Sequence, residues 1–146
     1  MNLVEFLKQQ RGFVPPLSDK YGEWLGYEIE HFDVSKKTLV TKLKIRQEHL
    51  SPSAAVHGGV VSGFLDFSCG CAVINLLKKD ELCSTVDLNV KYFKPLKEGD
   101  EIIAKAKVVH HGKTLSSVVA HVFKKINPEV EVAMASATFN IYKVSN

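Results

Sequence analysis

The spacing of hydrophobic and polar positions changes along the chain, and each change predicts a different kind of element. Rough alternation over residues 25–34 and 38–45, on either side of Ser35-Lys36-Lys37, predicts a hairpin. Residues 59–77 contain no proline and place apolar side chains at helical spacings, which predicts one long helix. Beyond residue 80 the period changes to two, and four strands are predicted. The last three span residues 101–110, 114–125 and 130–142, with turn signals at His111-Gly112 and Asn127-Pro128.

The first of these four strands is predicted to end at Pro95 and to have two distinct faces. One face carries Ser84, Val86, Leu88, Val90 and Tyr92, and the other carries Thr85, Asp87, Asn89 and Lys91. Because the four strands follow one another directly, an antiparallel meander is predicted.

The N-terminal segment is predicted to form a short amphipathic helix. Asn2 is suited to cap it, Glu5 completes a capping-box pattern, and Gly12 is suited to end it. Charged side chains interrupt its apolar residues and no small-residue cleavage site follows, so we do not expect a signal peptide. After Pro15 and Pro16, a loop or turn is expected to lead to residue 25.

The order of these elements predicts an α+β fold, because it lacks the regular βαβ alternation of a parallel sheet. The long helix is apolar on nearly all sides and must be enclosed. A strongly curved antiparallel sheet wrapped around it would do this, with a second subunit covering what one sheet leaves open. We therefore expect one domain over residues 1–146 and a homodimer.

Composition and charge narrow the functional classes. The chain is 45% hydrophobic and 24% charged, as in globular proteins. Its net charge is only +3, and its lysines are spread among acidic residues rather than clustered, so no nucleic-acid partner is expected. No uncharged apolar window reaches the roughly 18 residues of a spanning helix, so no membrane insertion is expected. Three cysteines form neither an even disulfide set nor a metal-binding pattern, which favours a reducing cytoplasm and no metal.

A single carboxylate, Asp66, interrupts an otherwise uncharged run over residues 50–77, in which His57 is the only histidine. A buried carboxylate is costly unless it is paired, hydrogen-bonded or neutralised. One interpretation is structural: Asp66 accepts hydrogen bonds from a neighbouring strand or a helix terminus. The other is that Asp66 belongs to a functional site.

Two glycines at the start of the long helix favour the functional interpretation. The amides of Gly58 and Gly59 have no acceptor within the helix, so they form an electropositive pocket suited to an oxyanion. Glycine also lets a substrate approach the backbone. Asp66 lies roughly 12 Å further along the helix axis, too far to serve the same pocket, although a two-fold partner could supply such an acid.

These residues resemble the hotdog-fold acyl-CoA thioesterases, in particular the phenylacetate-pathway and 4-hydroxybenzoyl-CoA thioesterases. The resemblance covers most of the chain. It rests on His57-Gly58-Gly59 with an acid nine positions after the histidine, on VDLNVKYFKP over residues 86–95, and on HGKT over residues 111–114. It implies a hotdog fold, in which a curved antiparallel sheet wraps one long central helix, and a dimer or tetramer with its active site at the subunit interface.

The resemblance implies a role for each of these positions in hydrolysis of an aryl- or medium-chain acyl-CoA. The Gly58 amide polarises the thioester carbonyl, His57 helps to shape the site, and Asp66 of the facing subunit acts as nucleophile or general base. Thr85 stands where related enzymes often carry a serine that orients water or the acid. No added cofactor is implied, since coenzyme A is part of the substrate.

Basic residues are implied to hold the phosphates of coenzyme A, and the candidates are Lys113, Lys91 and Lys94. In two places the chain departs from the family pattern. Ser51 stands where relatives commonly have Asn or Gln, and Ala54 stands where many have glycine. The shorter Ser51 side chain changes how water or thioester would be positioned.

Phe67 and Cys69 are candidates for the acyl pocket, because they follow Asp66 within one helical turn. Cys69 has two further interpretations: a nucleophile, or a buried small apolar residue, since free cysteines are among the most buried residue types. Two other functions stay open. One is a non-catalytic module that binds acyl-CoA or responds to it as a regulator. The other is a dehydratase that acts on a hydroxyacyl thioester, although the position of Asp66 suits a thioesterase better.

Overall fold

In the computed structural model, which describes residues 1–12 and 18–144, six antiparallel strands form one sheet that packs around a long helix. The helices are α1 (Leu3–Arg11), α2 (Lys20–Leu25) and α3 (Gly58–Ile74), with a 3-10 turn at Gln47–His49. The strands are β1 (Glu28–Asp33), β2 (Thr38–Lys44), β3 (Glu81–Tyr92), β4 (Glu101–His111), β5 (Leu115–Lys124) and β6 (Glu131–Lys143). The predicted α+β class and the central helix are confirmed.

The capping pattern of the N-terminal helix is confirmed in atomic detail. The Glu5 amide donates to Asn2 Oδ1 at 2.9 Å, and the Asn2 amide donates to the Glu5 carboxylate at 3.1 Å. Gly12 ends α1 with φ 64°, a left-handed conformation that glycine adopts without strain. Phe6 and Leu7 anchor the helix in the core.

The expected loop before residue 25 is partly wrong, because Lys20–Leu25 forms α2. Asp19 caps this helix by accepting a hydrogen bond from the Gly22 amide at 2.9 Å, and Gly26 ends it with φ 81°. The hairpin therefore begins at Glu28 rather than Leu25. The part of the prediction that concerns Pro15 and Pro16 lies outside the described residues.

The rest of the hairpin is confirmed: β1 pairs antiparallel with β2, with Asp33 opposite Thr38. The turn is held by the Asp33 carboxylate, which accepts hydrogen bonds from the Ser35 hydroxyl at 2.7 Å and the Lys36 amide at 3.1 Å. Local side-chain capping of this kind is what the turn residues predict.

Helix α3 is central, because its apolar residues face both the sheet and the flanking segments. Five of them have no exposed surface: Phe64, Leu65, Cys69, Ala72 and Val73. The helix begins one residue earlier and ends three residues earlier than predicted. The Asn75 side chain donates to the Cys71 carbonyl at 2.8 Å, and the chain then tightens into turns. No described helix is both long and apolar enough to cross a membrane.

The predicted meander is right for β4, β5 and β6, but wrong for β3. The strand order is β1-β2-β4-β5-β6-β3, so β3 pairs with β6 and lies at the sheet edge. No other strand of the described chain pairs with its outer edge. This order depends on pairing between strands that are far apart in the chain, and the local alternation of residues 84–92 contains no information about it.

The predicted faces of β3 are confirmed for residues 87–92, but a β-bulge makes them wrong for Ser84 and Thr85. Thr85 lies opposite Phe139, but Asp87 lies opposite Thr138, so Val86 is the extra residue. Phe139 faces the helix side of the sheet and is buried. Thr85 therefore shares the helix-facing side with Leu88, Val90 and Tyr92, while Ser84 lies on the outer side with Asp87, Asn89 and Lys91.

Candidate functional site

The carboxylate of Asp66 lies on the side of α3 that faces β3. Its Oδ1 accepts a hydrogen bond of 2.8 Å from the Thr85 hydroxyl, which reaches inward because of the bulge. Asp66 is half-buried rather than enclosed. Asp66 thus accepts a hydrogen bond from a neighbouring strand, as the structural interpretation requires. The same bond also orients the carboxylate, as a role in catalysis would require.

A cavity of about 140 Å³, hereafter the Asp66 cavity, adjoins this carboxylate. It is lined by Leu3, Asp66, Phe67, Gly70, Cys71, Ile74, Cys83, Ser84, Thr85 and Phe139. Phe67 therefore lies where an acyl pocket was predicted. The described lining does not include Cys69, which has no exposed surface and whose thiol pKa is raised to about 12, first by burial and then by the nearby Asp66. The buried-apolar interpretation of Cys69 fits this position, and the pocket and nucleophile interpretations do not.

The other half of the predicted site lies at the N-terminus of α3. His57 is the N-cap residue, with φ −57° and ψ 134°, and Gly58 and Gly59 form the first turn. All three are exposed. Apart from the chain neighbours of Gly59 and the nearby backbone of α3, no described atom lies within 4 Å of the place where a side chain at residue 59 would begin. The free amides of a first helical turn are suited to bind a negative charge.

A second cavity of about 370 Å³, hereafter the Gly58 cavity, opens at this helix terminus. Gly58, Val61, Tyr92, Phe93 and Lys94 contribute to its lining. The Tyr92 hydroxyl donates to the Gly58 carbonyl at 3.1 Å and so ties the end of β3 to the first turn of α3. Sequence reasoning placed Tyr92 on a strand face but missed this role. Its position within the VDLNVKYFKP motif was the available signal.

The two halves do not meet within one chain. Gly58 and Asp66 are eight residues apart on one straight element, which corresponds to roughly 12 Å. Along β3, Tyr92 contacts the N-terminal end of α3, and Thr85 contacts Asp66 at the middle of the same helix. The geometry therefore agrees with the expectation that a single chain holds two separate half-sites.

The three predicted phosphate-binding lysines are all exposed, but they lie in different places. Lys94 lines the Gly58 cavity, and Lys91 projects from the outer face of β3. Lys113 is in the β4–β5 turn, at the opposite end of the sheet from Lys94. Thr85 lies at this same end, because Thr85 of β3 and the nearby Ser116 of β5 both pair with Phe139 of β6. Among the described residues none of the three forms an ion pair.

Ser51 belongs to the loop that precedes α3. Its hydroxyl lies 2.8 Å from that of Ser53, and its amide donates to the Ala55 carbonyl at 2.7 Å. In this arrangement Ser51 organises its own loop. Ala54 in the same loop has φ 62°, a left-handed conformation that glycine adopts without strain.

Replacing Ala54 with glycine should raise the free energy of unfolding by about 0.5–1 kcal/mol, because relief of the left-handed strain exceeds the entropy that glycine adds to the unfolded chain. Urea unfolding followed by circular dichroism measures this. The matched control is Ala55→Gly, at a position without positive φ, which should lower the stability. A destabilised Ala54→Gly variant would contradict the strain argument.

His49 lies beneath this loop and is fully buried, with the Trp24 ring edge-on at 5.4 Å between centroids. Its Nδ1 accepts a hydrogen bond from the Arg46 amide at 3.1 Å, and its carbonyl accepts one from the His57 amide at 2.9 Å. Nε2 has no partner among the described residues. Burial, and secondarily the positive charge of Arg46, lower the pKa of His49, while Glu48 opposes the shift.

This histidine should make the protein less stable in mild acid. The unfolded state takes up a proton near pH 6.5, above the lowered pKa of folded His49, so the free energy of unfolding falls as the pH drops below about 6.5. Protonation of Nδ1 would also break the bond from Arg46. Urea unfolding between pH 5 and pH 8 should show a steeper loss for the wild type than for His49→Gln. Equal slopes would contradict this assignment.

Within the described residues no cluster of three or more His, Cys, Asp or Glu side chains is arranged to hold a metal ion. The absence of a metal and of a cofactor stays a prediction.

Comparison with known proteins identifies relatives of this architecture. A model of the thioesterase superfamily matches residues 54–131. Acyl-coenzyme A thioesterase 13 of Mus musculus is 28% identical over 78 residues, which cover 53% of this chain and 55% of that protein. Transcription factor FapR of Geobacillus sp. (strain WCH70) is 28% identical over 137 residues, covering 88% of this chain and 58% of that protein. The chain thus matches little more than half the length of these relatives.

A solved structure gives the fold comparison. The phenylacetic acid degradation-related protein of Ralstonia eutropha JMP134 superposes with a TM-score of 0.80 at 25% identity, over 92% of this chain and 98% of that one. Together with the superfamily match and the sheet around α3, this confirms the predicted hotdog fold.

Proposed function

Because this chain belongs to the thioesterase superfamily, we propose that it hydrolyses an aryl- or medium-chain acyl-CoA to the free acid and coenzyme A. The observation that carries the proposal is the pair of half-sites on α3. An acid oriented by Thr85 lies at one point of the helix, and the exposed amide of Gly58 begins the same helix. An acid and an oxyanion donor are the two groups that thioester hydrolysis needs.

Two copies of the chain would complete the site. In an antiparallel pair of α3 helices related by a two-fold axis, Asp66 of one subunit faces Gly58 of the other. The unpaired edge of β3 offers a surface for such pairing, and Val86 on it is 60% exposed. We therefore propose a homodimer, or a tetramer built from dimers, with two active sites in each pair of subunits.

In the proposed reaction the thioester carbonyl oxygen accepts a hydrogen bond from the Gly58 amide, which stabilises the negative charge that develops there. The facing Asp66 then either attacks the carbonyl carbon or removes a proton from an attacking water. The C–S bond breaks, and the thiolate of coenzyme A takes a proton to leave as the free thiol. If Asp66 is the nucleophile, water then hydrolyses the anhydride between Asp66 and the acyl group, so one water is consumed on either route. His57 is the N-cap residue next to this amide and helps to shape the site, and Gly59 leaves room for the substrate.

Basic side chains from both subunits would hold the coenzyme A phosphates. Lys94 lies in the Gly58 cavity of one subunit, while Lys113 lies at the Asp66 end of the other. Pairing of the two half-sites would bring these ends together. Lys91, on the outer face of β3, is the candidate furthest from either cavity. No metal or cofactor takes part, and we propose a cytoplasmic location.

Release of free thiol from a panel of aryl- and fatty-acyl-CoA esters tests the proposed activity. Turnover of at least one ester by the purified protein is expected, and no turnover of any ester would contradict the enzyme.

Regulation by acyl-CoA is the second candidate function. The similarity to a transcription factor over 88% of the chain favours it, and so does Ser51 in place of a longer amide side chain. Calorimetry distinguishes the two candidates: tight binding of intact acyl-CoA without hydrolysis would favour the regulatory module.

A further inference from the structure

The N-terminal helix contributes a wall to the Asp66 cavity. Leu3 of α1 faces the same space as Phe67 and Ile74 of α3 and Phe139 of β6. Asp66 and Thr85 provide polar groups at one side of this space, while these four side chains are apolar. The cavity thus has the polarity expected for an apolar group attached to a carbonyl carbon next to Asp66.

Helix α1 is held firmly enough to act as a fixed wall. The Ile29 amide donates to the Met1 carbonyl at 2.8 Å, which ties the start of the helix to β1. Phe6 is only 2% exposed, and the reciprocal bonds of Asn2 and Glu5 fix the first turn. Leu3 lies between these anchors, so its side chain has little freedom to move away from the cavity.

The cavity is an open depression on one subunit, and its volume indicates the size of the group that it can surround. About 140 Å³ is close to the roughly 150 Å³ of an engineered apolar cavity that binds benzene. A single aromatic ring, or an alkyl chain of about six carbons, is therefore the group that fills this space.

We propose that the Asp66 cavity binds the acyl group and that Leu3 selects the size of the group held there, with a single-ring aryl group or a chain of about six carbons as the best fit. This assignment rests on the proposed function, because it takes Asp66 as the group beside the thioester carbon. It makes Leu3 a specificity-determining residue.

Binding of S-alkyl coenzyme A thioethers, which contain no thioester to hydrolyse, tests the role of Leu3. Calorimetry with S-methyl, S-hexyl, S-benzyl and S-decyl coenzyme A should show wild-type affinity that rises up to the S-hexyl and S-benzyl compounds and falls for S-decyl. Leu3→Ala should raise the ratio of S-decyl to S-benzyl affinity about tenfold, the factor expected for burial of two further methylene groups. Leu3→Phe should weaken S-benzyl binding relative to S-methyl by a similar factor.

The matched control is Leu115→Ala, which removes the same atoms from a leucine that is 45% exposed on β5 and lines neither cavity. Leu3→Ala should raise the affinity for the larger ligand relative to the smaller one, and Leu3→Phe should lower it. These opposite shifts support the proposal, because general loosening of α1 would move both affinity ratios in the same direction. Unchanged ratios in the Leu3 variants, or shifts in the same direction, would overturn it. If the wild type binds thioethers in this pattern but hydrolyses no thioester, the enzymatic proposal fails while the role of Leu3 stands.

Discussion

Replacing Asp66 with asparagine should lower kcat by at least about 100-fold, because a general base or nucleophile typically contributes two to four orders of magnitude. Asparagine has nearly the same shape, and its carbonyl oxygen can still accept the hydrogen bond from Thr85. The fold should survive, since Asp66 forms no ion pair with a described residue. Steady-state kinetics on the best acyl-CoA substrate, with circular dichroism to confirm folding, measure the effect.

The matched control is Asp87→Asn, two residues beyond Thr85 but on the outer side of the bulge. This variant removes the same charge without touching the Asp66 cavity, so its kcat should stay close to that of the wild type. A folded Asp66→Asn variant with the full rate would contradict any mechanism that uses this carboxylate.

Replacing Gly58 with proline should lower kcat by about 10²–10³-fold, the loss typical for removal of one oxyanion donor. Gly58 is the first helical residue, where proline is well tolerated, and its missing amide hydrogen costs the helix nothing. His57, with φ −57° and ψ 134°, already has the conformation that a residue before proline requires. The substitution therefore removes the proposed donor while the helix start is kept.

Gly58→Ala is the control, because it adds a Cβ at 3.4 Å from the Tyr92 ring but keeps the amide hydrogen. If the amide is the oxyanion donor, the alanine variant should retain most of the activity that the proline variant loses. Equal losses in both variants would instead indicate that crowding against Tyr92 is responsible.

Hybrid dimers show whether the site is shared between subunits. When Asp66→Asn and Gly58→Pro chains are unfolded, mixed and refolded, each hybrid dimer has one site with both residues intact. An equal mixture should regain about a quarter of the wild-type rate, since half of the dimers are hybrids with one working site out of two. A site contained in one chain would regain nothing.

The elements that local patterns determine were predicted well. The capping box of α1, the β1–β2 hairpin and the long apolar helix each depend on residues that lie within a few positions of one another. Asp66 was identified in the same way, as a single charge in an apolar run. The α2 helix was missed, because its six residues offer too short a period to distinguish a helix from a turn.

The sequence by itself determined which residues carry the candidate chemistry: Asp66, Gly58 and the glycine-rich start of α3. Only the tertiary structure decided which of them meet. The bulge at Val86 turns Thr85 toward Asp66 while Leu88 and Val90 still pack inward, and strict alternation predicted the opposite face for Thr85. Tertiary structure also places β3 beside β6 and brings Tyr92 into contact with Gly58. These features follow from packing between residues far apart in the chain, and local hydrophobic periodicity contains no information about that packing.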